Sequence, residues 1–424
     1  MQEITPIFGI LNGTLRPPGS KSITNRALLM AALADGQSEL IGVLESDDTR
    51  VMIEGLRKLG VSIETNLQQQ TAIIEGCGGQ FPQPQADIDV ENSGTTIRFL
   101  TAALAMAGGH YRLDGIPRMR QRPIGPLVDA LQMLGADVKT ESPDQCPPVV
   151  IDSPRVAGGE TRVRGDLSSQ YLSGLLMAAP LAQSEVRLAV EGALVSRPYI
   201  EMTLKMQHDF GVQPVVSSNA DQFIFDSPTA YRSTRYTIEP DASAASYFFA
   251  AAAICGGRAT VLGLDRSSLQ GDIRFVECLA KMGCTVEYAD DSTTVIGPAQ
   301  RGIDIDMSEI SDTVQTLTAV ALFVDGPTRI RNVAHNRIKE TDRIGNLAIE
   351  LRKFGATVTE FDDGLSIQPV PTMTGATIET YNDHRMAMSL ALVGLKVPGV
   401  KILNPDCVAK TYPQFFADLK RFCR

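Results

Sequence analysis

The sequence has little of what metal-binding, disulfide-rich or membrane proteins require. Its seven cysteines are odd in number and irregularly spaced, which argues against a disulfide framework and against a zinc site. Histidine occurs only four times, and no spacing typical of metal ligands stands out. No apolar run approaches the roughly 18 residues that indicate a membrane-spanning helix. We therefore expect no metal, no cofactor and no contact with a membrane.

Excess positive charge, a leader segment and a kinase-type phosphate loop are also missing. The 39 basic residues are outnumbered by 49 acidic ones, and the net charge of −10 argues against nucleic-acid binding. The start Met1-Gln2-Glu3 lacks the layout of a signal peptide, so a reducing cytoplasm is the expected setting. No G-x-x-x-x-G-K-S/T stretch occurs, which disfavours a P-loop kinase.

The sequence does contain a long internal repeat. Polar segments that lead into runs rich in alanine and leucine recur every 70 to 76 residues, at Ser20, Asn92, Ser168, Asp241, Asp312 and Asn382. The end of an amphipathic helix, followed by glycine, keeps a similar spacing at 56–61, 131–136, 205–212, 279–284 and 351–356, and a sixth helix end at 419–422 closes the chain. Each repeat predicts a buried helix, a strand, an amphipathic helix and a strand pair, which indicates packed α/β layers.

Six repeats in 424 residues predict two domains of three repeats each. We expect residues 1–19 plus 240–424 to form one domain and residues 20–239 the other. The sixth repeat lacks its closing strands. Residues 4–15 predict a hairpin with Asn12-Gly13 at its turn, which would complete that repeat and bring both termini into one domain.

The first repeat begins with a helix start of unusual chemistry, predicted as a helix over 20–33. Gly19 allows a tight turn, and the free N–H groups and helix dipole at such a start form a natural anion site. Lys21 and Arg26 add full charges there. The helix body is apolar on all sides, which predicts burial. The plain alternative is a capped core helix beside surface charges.

Further candidates lie at the later helix starts and in the loops. The arginines of segment 118–122 suit a binding loop for carboxylate or phosphate oxygens, although such clusters are usually solvated. Hydroxyls and an amide at 168–170 suit a phosphorylated, polyhydroxylated ring, although the serines could be plain caps. Carboxylates at Asp241 and Asp312 are either caps or general bases.

Two acidic segments are predicted to lie on helices. Asp47 or Asp48 is expected to cap the helix that follows residue 46, and Asp48 could also orient a nearby cation. Segment 337–343 is the densest ionic stretch of the chain. On a helix, Lys339 and Arg343 would share a face beside Glu340.

These segments together resemble the family of 5-enolpyruvylshikimate-3-phosphate (EPSP) synthases. The motifs that carry the resemblance extend over nearly the whole chain and lie at 18–22, 92–95, 120–125, 168–170, 196–199, 270–274, 339–343 and 382–387. The resemblance implies an inside-out α/β barrel of the enolpyruvyl transferase type, with two domains and six βαβαββ-like repeats. It also implies an active site in the cleft between the domains. We expect a cytoplasmic monomer.

The resemblance implies a 3-phosphoshikimate 1-carboxyvinyltransferase of aromatic amino-acid biosynthesis. Such an enzyme moves enolpyruvyl from phosphoenolpyruvate to the 5-hydroxyl of shikimate 3-phosphate, releasing phosphate, and is the target of glyphosate. A UDP-N-acetylglucosamine carboxyvinyltransferase fits less well, because Ser22 rather than Asn follows Lys21 and no cysteine lies in 118–122. A non-catalytic sugar-phosphate binding protein is disfavoured by Asp312 and Glu340 among cations.

The resemblance also implies residue roles. The catalytic residues would be Lys21, Asp312 and Glu340. The shikimate 3-phosphate ligands would be Lys21, Ser22, Arg26, Ser168, Ser169, Gln170, Ser196, Tyr199, Asp312 and Lys339. The phosphoenolpyruvate ligands would be Lys21, Asn92, Gly94, Thr95, Arg122, Gln170, Arg343, Arg385 and Lys410. Two positions depart from the family pattern: Phe99 replaces an expected proline, and His335-Asn336 occupies the neighbourhood of an expected asparagine.

Overall fold

The computed structural model describes residues 1–424 and divides into two compact units. The terminal unit comprises Met1–Pro18 and Glu239–Arg424, and the central unit comprises Gly19–Ile238. Each unit has its own hydrophobic core. The boundaries expected from the repeats lie one residue further along the chain. The first and last residues fall in the same unit.

Each unit contains six α-helices, in two alternating kinds. Those of the central unit are α1 Lys21–Leu33, α2 Asp47–Lys58, α3 Gly94–Ala107, α4 Gly125–Met133, α5 Ser169–Ala178 and α6 Pro198–Asp209. Those of the terminal unit are α7 Ala242–Cys255, α8 Phe275–Lys281, α9 Val314–Ala321, α10 Gly345–Lys353, α11 His384–Ala391 and α12 Phe415–Phe422. The odd-numbered helices are buried on almost every side, and the even-numbered ones bury one face, which confirms the predicted alternation.

Short 3-10 helices connect several of these elements. They span Met119–Gln121, Ala179–Leu181, Gly271–Arg274, Ser311–Thr313, Ala334–Ile338, Leu392–Leu395 and Pro405–Lys410. None of the twelve α-helices combines the length and the hydrophobicity that a membrane crossing requires.

Three four-stranded sheets surround the buried helices of the central unit. In hydrogen-bonded order, the first contains Arg235–Thr237, Asp35–Ile41, Thr71–Cys77 and Ser62–Asn66. The second contains Gln85–Asp89, Gly109–Asp114, Val149–Ser153 and Val138–Thr140. The third contains Gly159–Arg164, Val186–Glu191, Gln222–Phe225 and Val215–Val216. Helices inside and sheets outside form the inside-out arrangement expected.

The terminal unit also has three sheets, one of them shorter. The first contains Thr285–Ala289, Ser292–Gly297, Gly257–Leu262 and Leu11–Leu15. The second contains Asp304–Asp306, Thr328–Arg331, Gly364–Gln368 and Thr357–Phe361. The third has only Gln2–Glu3, Lys401–Ile402 and Thr377–Ile378. The sixth repeat therefore lacks its closing strand pair, as predicted.

Each sheet has one parallel pair, and two of these pairs exchange strands between distant repeats. Leu11–Leu15 precedes α1 but pairs with Gly257–Leu262, which follows α7. Arg235–Thr237 precedes α7 but pairs with Asp35–Ile41, which follows α1. The predicted hairpin over 4–15 is therefore wrong. Gly13 lies within a strand, where a Cβ would approach the Phe422 ring to 2.5 Å, so the glycine serves close packing rather than a turn.

Two predicted local structures also differ in detail. Ser46, rather than Asp47 or Asp48, caps α2 by accepting from Thr49 N in a reciprocal capping box. Residues 339–343 are not helical, since the backbone is irregular between the 3-10 helix Ala334–Ile338 and α10. Asp342 Oδ1 instead accepts from Ile344 N and Gly345 N, both at 3.0 Å, so the helix begins only after this side chain.

Candidate functional site

The start of α1 presents a lysine held beside a carboxylate. Ser20 caps the helix by accepting from Ile23 N at 3.4 Å. Lys21 is buried, and its Nζ lies 3.6 Å from Asp48 Oδ2. Asp48, for which the sequence left open a cap or a partner that orients a nearby cation, therefore takes the second role beside the predicted catalytic lysine. Ser22 follows on the same turn, half-buried.

Side-chain hydrogen bonds join the starts of the three buried helices of the central unit. Asn25 Nδ2 donates to Thr95 Oγ1 at 2.8 Å, which ties α1 to α3. Arg98 Nη1 donates to Gln170 Oε1 at 2.7 Å, which ties α3 to α5. The sequence motifs thus converge on one end of the helix bundle, although they are about 70 residues apart in the chain.

Only one of the three loop arginines is buried against this cluster. Arg122 is 4% exposed, and its Nη1 donates to Asn92 O at 3.1 Å and to Asn92 Oδ1 at 3.4 Å. Arg120 is exposed and is paired with Asp114. A Cβ on Gly94 would lie 2.5 Å from Arg122 Nη2 and 2.7 Å from Arg98 Nη1, so the glycine makes room for both guanidinium groups.

Hydroxyl groups line the start of α5 and the loop before α6. Ser168 caps α5 by accepting from Gln170 N at 3.3 Å, and Ser169 is buried in the first turn. Ser196 is buried and has a left-handed backbone with φ of 53°. A serine keeps this sparsely populated conformation only where its surroundings impose it. Tyr199 follows at the start of α6, and its N–H donates to Ser196 O at 3.0 Å.

Arg26 is more deeply buried than the other predicted ligands of the central unit. Its guanidinium donates to Thr203 Oγ1 at 2.8 Å, Ser173 Oγ at 3.0 Å, Ser22 O at 3.0 Å and Tyr199 O at 3.4 Å. Burial lowers the pKa of Arg26 to about 10. These bonds fix the backbone at two other predicted ligands.

Phe99, the residue that replaces the expected proline, is packed against Arg26. Its buried ring centroid lies 5.2 Å from the guanidinium carbon of Arg26, within cation–π range. The residue that departs from the family pattern therefore packs against the guanidinium of a predicted ligand, Arg26.

The cluster of the terminal unit is organised around Asp312, in the 3-10 helix Ser311–Thr313. Its Oδ1 lies 2.6 Å from Lys339 Nζ and 3.5 Å from Arg343 Nη1. Its Oδ2 accepts from Arg385 Nη2 at 2.7 Å. Three predicted cations therefore converge on one carboxylate, and Lys339 reaches it without the predicted helix.

Two further carboxylates, Glu340 and Asp383, contact Arg343. Glu340 Oε2 lies 2.9 Å from Arg343 Nη2, and the Glu340 side chain is 9% exposed. Asp383, the cap of α11, accepts from Arg343 Nε at 2.7 Å and from Arg343 Nη2 at 3.1 Å. Sequence reasoning assigned Asp383 no role, although its place before a buried helix would suit a carboxylate cap.

Burial and charge shift several pKa values in this cluster. Burial, opposed by the Asp312 charge, lowers the pKa of Lys339. Burial and the Lys339 charge lower the pKa of His335 to about 3, so this imidazole is neutral. Burial holds the pKa of His384 well below its usual range, with the Arg385 charge adding to the effect. Lys410, buried at the end of Pro405–Lys410, also contributes to it.

A further buried carboxyl group, Asp272, was also missed as a site residue. It lies in the motif at 270–274 and accepts a hydrogen bond from Ser243 Oγ in the first turn of α7. Burial first, and then the charge of Asp312, raises the pKa of Asp272 to about 6. The motif itself was visible in the sequence, but the burial that gives it this property was not.

The two clusters differ in what they can do chemically. The central cluster supplies hydroxyls, amides, buried arginines and Lys21, which suit anion and hydroxyl binding. The terminal cluster interleaves carboxylates with cations, which suits binding together with proton transfer. No group of three or more histidine, cysteine or acidic side chains is arranged to hold a metal ion.

Comparisons with known proteins agree on one family. The model of the EPSP synthase (3-phosphoshikimate 1-carboxyvinyltransferase) family matches residues 7–419. A 3-phosphoshikimate 1-carboxyvinyltransferase from Nostoc punctiforme is 49% identical over 98% of this chain and 97% of the relative. A chloroplastic one from Solanum lycopersicum is 46% identical over 98% of this chain and 83% of the relative.

The fold leads to the same family. The solved EPSP synthase of Acinetobacter baumannii superposes with a TM-score of 0.82 at 25% identity, covering 99% of this chain and 97% of that one. Sequence similarity and fold agree over nearly the full length. The chain therefore belongs to the EPSP synthase (3-phosphoshikimate 1-carboxyvinyltransferase) family.

Proposed function

We propose that the two clusters together transfer enolpyruvyl from phosphoenolpyruvate to the 5-hydroxyl of shikimate 3-phosphate, releasing phosphate. As a family member, the chain is an enolpyruvyl transferase of the shikimate pathway. The observation that carries the residue assignment is the convergence of Lys339, Arg343 and Arg385 on Asp312. This arrangement places a carboxylate that can accept a proton among three cations that can bind the oxygens of anionic substrates.

Shikimate 3-phosphate is assigned to the hydroxyl-rich residues and their neighbours. Their hydroxyl, amide and ammonium groups can bond both the ring hydroxyls and the phosphate. The proposed ligands are Lys21, Ser22, Arg26, Ser168, Ser169, Gln170, Ser196, Tyr199, Asp312 and Lys339. The buried, left-handed Ser196 supports the assignment, because a residue forced into this conformation is often part of a site.

Phosphoenolpyruvate is assigned to the arginine-rich residues. Guanidinium groups match carboxylate and phosphate oxygens in pairs, and the start of α3 adds free N–H groups. The proposed ligands are Lys21, Asn92, Gly94, Thr95, Arg122, Gln170, Arg343, Arg385 and Lys410. The room that Gly94 leaves for Arg122 supports this assignment.

The reaction needs one proton delivered and one removed at C3 of phosphoenolpyruvate. As the 5-hydroxyl oxygen bonds to C2, C3 gains a proton and the hydroxyl loses one. The C2–O bond to phosphate then breaks, and C3 returns its proton. We assign the C3 proton to Glu340, with Lys21 as a possible partner, and the hydroxyl proton to Asp312. The nearly buried Glu340, held by Arg343, supports this division.

The function is tested by phosphate release. Purified protein is mixed with shikimate 3-phosphate and phosphoenolpyruvate, and phosphate is measured with a coupled assay. Release that requires both substrates is expected. Release with UDP-N-acetylglucosamine instead would favour the related carboxyvinyltransferase, and binding of shikimate 3-phosphate without release would favour a non-catalytic binding protein.

We also propose that the chain acts as a cytoplasmic monomer. All seven cysteines are unpaired, which suits a reducing compartment. Light scattering of the active protein should give a mass near 45.7 kDa. A mass twice as large would contradict the monomer.

A further inference from the structure

Glu350 is a carboxylate that the proposed reaction does not use, and its side chain has no exposed surface. It lies on α10 and accepts three hydrogen bonds. Its Oε2 accepts from Lys353 Nζ at 2.6 Å and from Glu379 N at 3.0 Å, and its Oε1 accepts from the Tyr381 hydroxyl at 2.8 Å. A buried charge with this many donors is held firmly in one position.

The segment that Glu350 holds has an unusual backbone. Tyr381 and Asn382 are consecutive residues with left-handed φ values of 52° and 55°. Neither is glycine, so the conformation persists only because neighbouring groups impose it. Glu379 Oε1 accepts from Tyr381 N at 3.2 Å, and Asn404 Nδ2 donates to Asn382 Oδ1 at 3.0 Å. The Tyr381–Glu350 bond ties this segment to α10.

The same segment leads directly into the anion-binding arginines. Asp383 follows Asn382 and caps α11 by accepting from Arg385 N at 2.9 Å. Its carboxylate also accepts two hydrogen bonds from the Arg343 guanidinium. Arg385 is the second residue of α11, and it reaches Asp312. The direction in which the chain leaves Asn382 therefore sets where both guanidinium groups lie.

We infer that Glu350 and Tyr381 form a positioning pair for the phosphoenolpyruvate arginines, acting through Asp383 on Arg343 and Arg385. The inference rests on the proposed function of these arginines. Neither residue of the pair touches the groups assigned to proton transfer. Because Arg343 and Arg385 are assigned to bind phosphoenolpyruvate directly, the pair acts more on affinity for this substrate than on the chemical step.

The protonation of the pair fits this role. Burial, together with the hydrogen bond to Glu350, raises the pKa of Tyr381, so its hydroxyl remains a donor at physiological pH. Tyr381→Phe removes only that donor and leaves the Glu350 carboxylate with two others. Glu350→Gln keeps the size of the side chain and weakens the acceptor. Both variants change only one or two atoms, so they test the position of the arginines without removing the apolar packing of α10.

The test compares steady-state kinetics of Tyr381→Phe, Glu350→Gln and the double variant. We expect the KM for phosphoenolpyruvate to rise on the order of ten-fold in each single variant, as when outer groups that orient a ligand are lost. The double variant should be no worse than Glu350→Gln alone, because the Tyr381 hydroxyl acts only through its bond to Glu350. The turnover number and the KM for shikimate 3-phosphate should change little.

A matched control is Tyr231→Phe in the central unit. The hydroxyl of the buried Tyr231 donates to Met177 O at 2.9 Å and accepts from Gln207 Nε2 at 2.8 Å, so the variant loses buried hydrogen bonds away from the arginines. It should lower the melting temperature without changing the KM for phosphoenolpyruvate. If Tyr381→Phe and Glu350→Gln behave like this control, the pair is merely structural and the inference is wrong. If wild-type protein releases no phosphate, the proposed function fails instead.

Discussion

The buried helices of the two units begin with different chemistry. In the central unit, α1, α3 and α5 are capped by the hydroxyls of Ser20, Ser93 and Ser168. In the terminal unit, α7 and α11 are capped by the carboxylates of Asp241 and Asp383. A neutral hydroxyl leaves the positive end of the helix dipole available to an anion, whereas a carboxylate largely cancels it.

This difference suggests a division of labour. The central unit can bind anions with its helix starts, helped by buried residues such as Arg122. The terminal unit must bind them with arginines, and its carboxylates, above all Asp312 and Glu340, become available for proton transfer. Changes in the central unit should therefore alter affinities, and changes to terminal carboxylates should alter turnover or stability.

The largest expected effect tests the proton-transfer half of this comparison. Glu340→Gln keeps the shape of the side chain but cannot exchange a proton, so turnover should fall by about 10²–10⁴-fold with both KM values nearly unchanged. Glu360→Gln is the matched control, because Glu360 also pairs with an arginine, Arg337, at 2.8 Å but lies outside the cluster. If Glu340→Gln keeps near-normal turnover while Asp312→Asn abolishes it, the assignment of the C3 proton to Glu340 is wrong.

The second prediction concerns the stability that the buried carboxylate of Asp272 costs the terminal unit. Because the folded pKa of Asp272, about 6, is raised above that of the unfolded chain, stability is full below pH 4 and falls as the pH rises through 6. Each pH unit between the two values corresponds to about 1.4 kcal/mol, so the penalty at pH 7 is on the order of 3 kcal/mol. Asp272→Asn should therefore stabilise the protein at pH 7 but not at pH 4.

Urea unfolding of wild type and variant at both pH values measures this effect. Asp114→Asn in the central unit should change the free energy of unfolding at pH 7 in the opposite direction. The hydrogen bond from Arg120 lowers the pKa of Asp114, so the ionised form stabilises the fold at neutral pH. That variant should lose stability at pH 7. A destabilised Asp272→Asn at pH 7 would show that its bond from Ser243 matters more than the buried charge.

The comparison also shows which features could be predicted from the sequence. The helix starts and the repeat were predictable because caps, glycines and apolar runs are local signals. The exchange of Leu11–Leu15 for Arg235–Thr237 was not, since strand pairing over such a distance leaves no local trace. A glycine after Asn12 also indicated a turn, when its function is to accommodate Phe422.

The candidate site was predictable in its members but not in their connections. Motif residues such as Lys339 and Arg343 could be identified, yet the expected helix over 339–343 does not form because Asp342 caps the following one. The importance of Asp272 depends on burial, and that of Asp383 on a contact 40 residues away in the chain. Neither is visible in residue type or spacing.

A smaller effect is expected from the arginine of the central unit. Arg122→Lys keeps the charge but loses the planar fork, so the KM for phosphoenolpyruvate should rise about ten-fold with turnover nearly unchanged. Arg120→Lys, two residues earlier in the same loop, is exposed and bound to Asp114, and it should change neither constant. An equal loss of affinity for shikimate 3-phosphate would mean that the loop serves the other substrate.

The smallest expected change in substrate affinity comes from one methyl group at the start of α3. Gly94→Ala should not strain the backbone, but its methyl would lie 2.5 Å from Arg122 Nη2 and 2.7 Å from Arg98 Nη1. Both guanidinium ends must therefore shift. The KM for phosphoenolpyruvate should rise only several-fold, because flexible side chains absorb most of the overlap. Shikimate 3-phosphate binding should remain nearly intact.

Glyphosate provides the sharper measurement at the same position. This inhibitor has one more atom than phosphoenolpyruvate between its two anionic groups, so a shifted Arg122 should reject it more strongly than the substrate. We expect its inhibition constant to rise by more than the KM in Gly94→Ala. Gly55→Ala, whose methyl would meet only the apolar side chains of Leu100, at 3.0 Å, and Ile88, at 3.5 Å, should leave both constants unchanged. Equal inhibition constants for wild type and Gly94→Ala, or a wild type insensitive to millimolar glyphosate, would show that Gly94 does not border the inhibitor and would weaken the assignment of the central helix starts to phosphoenolpyruvate.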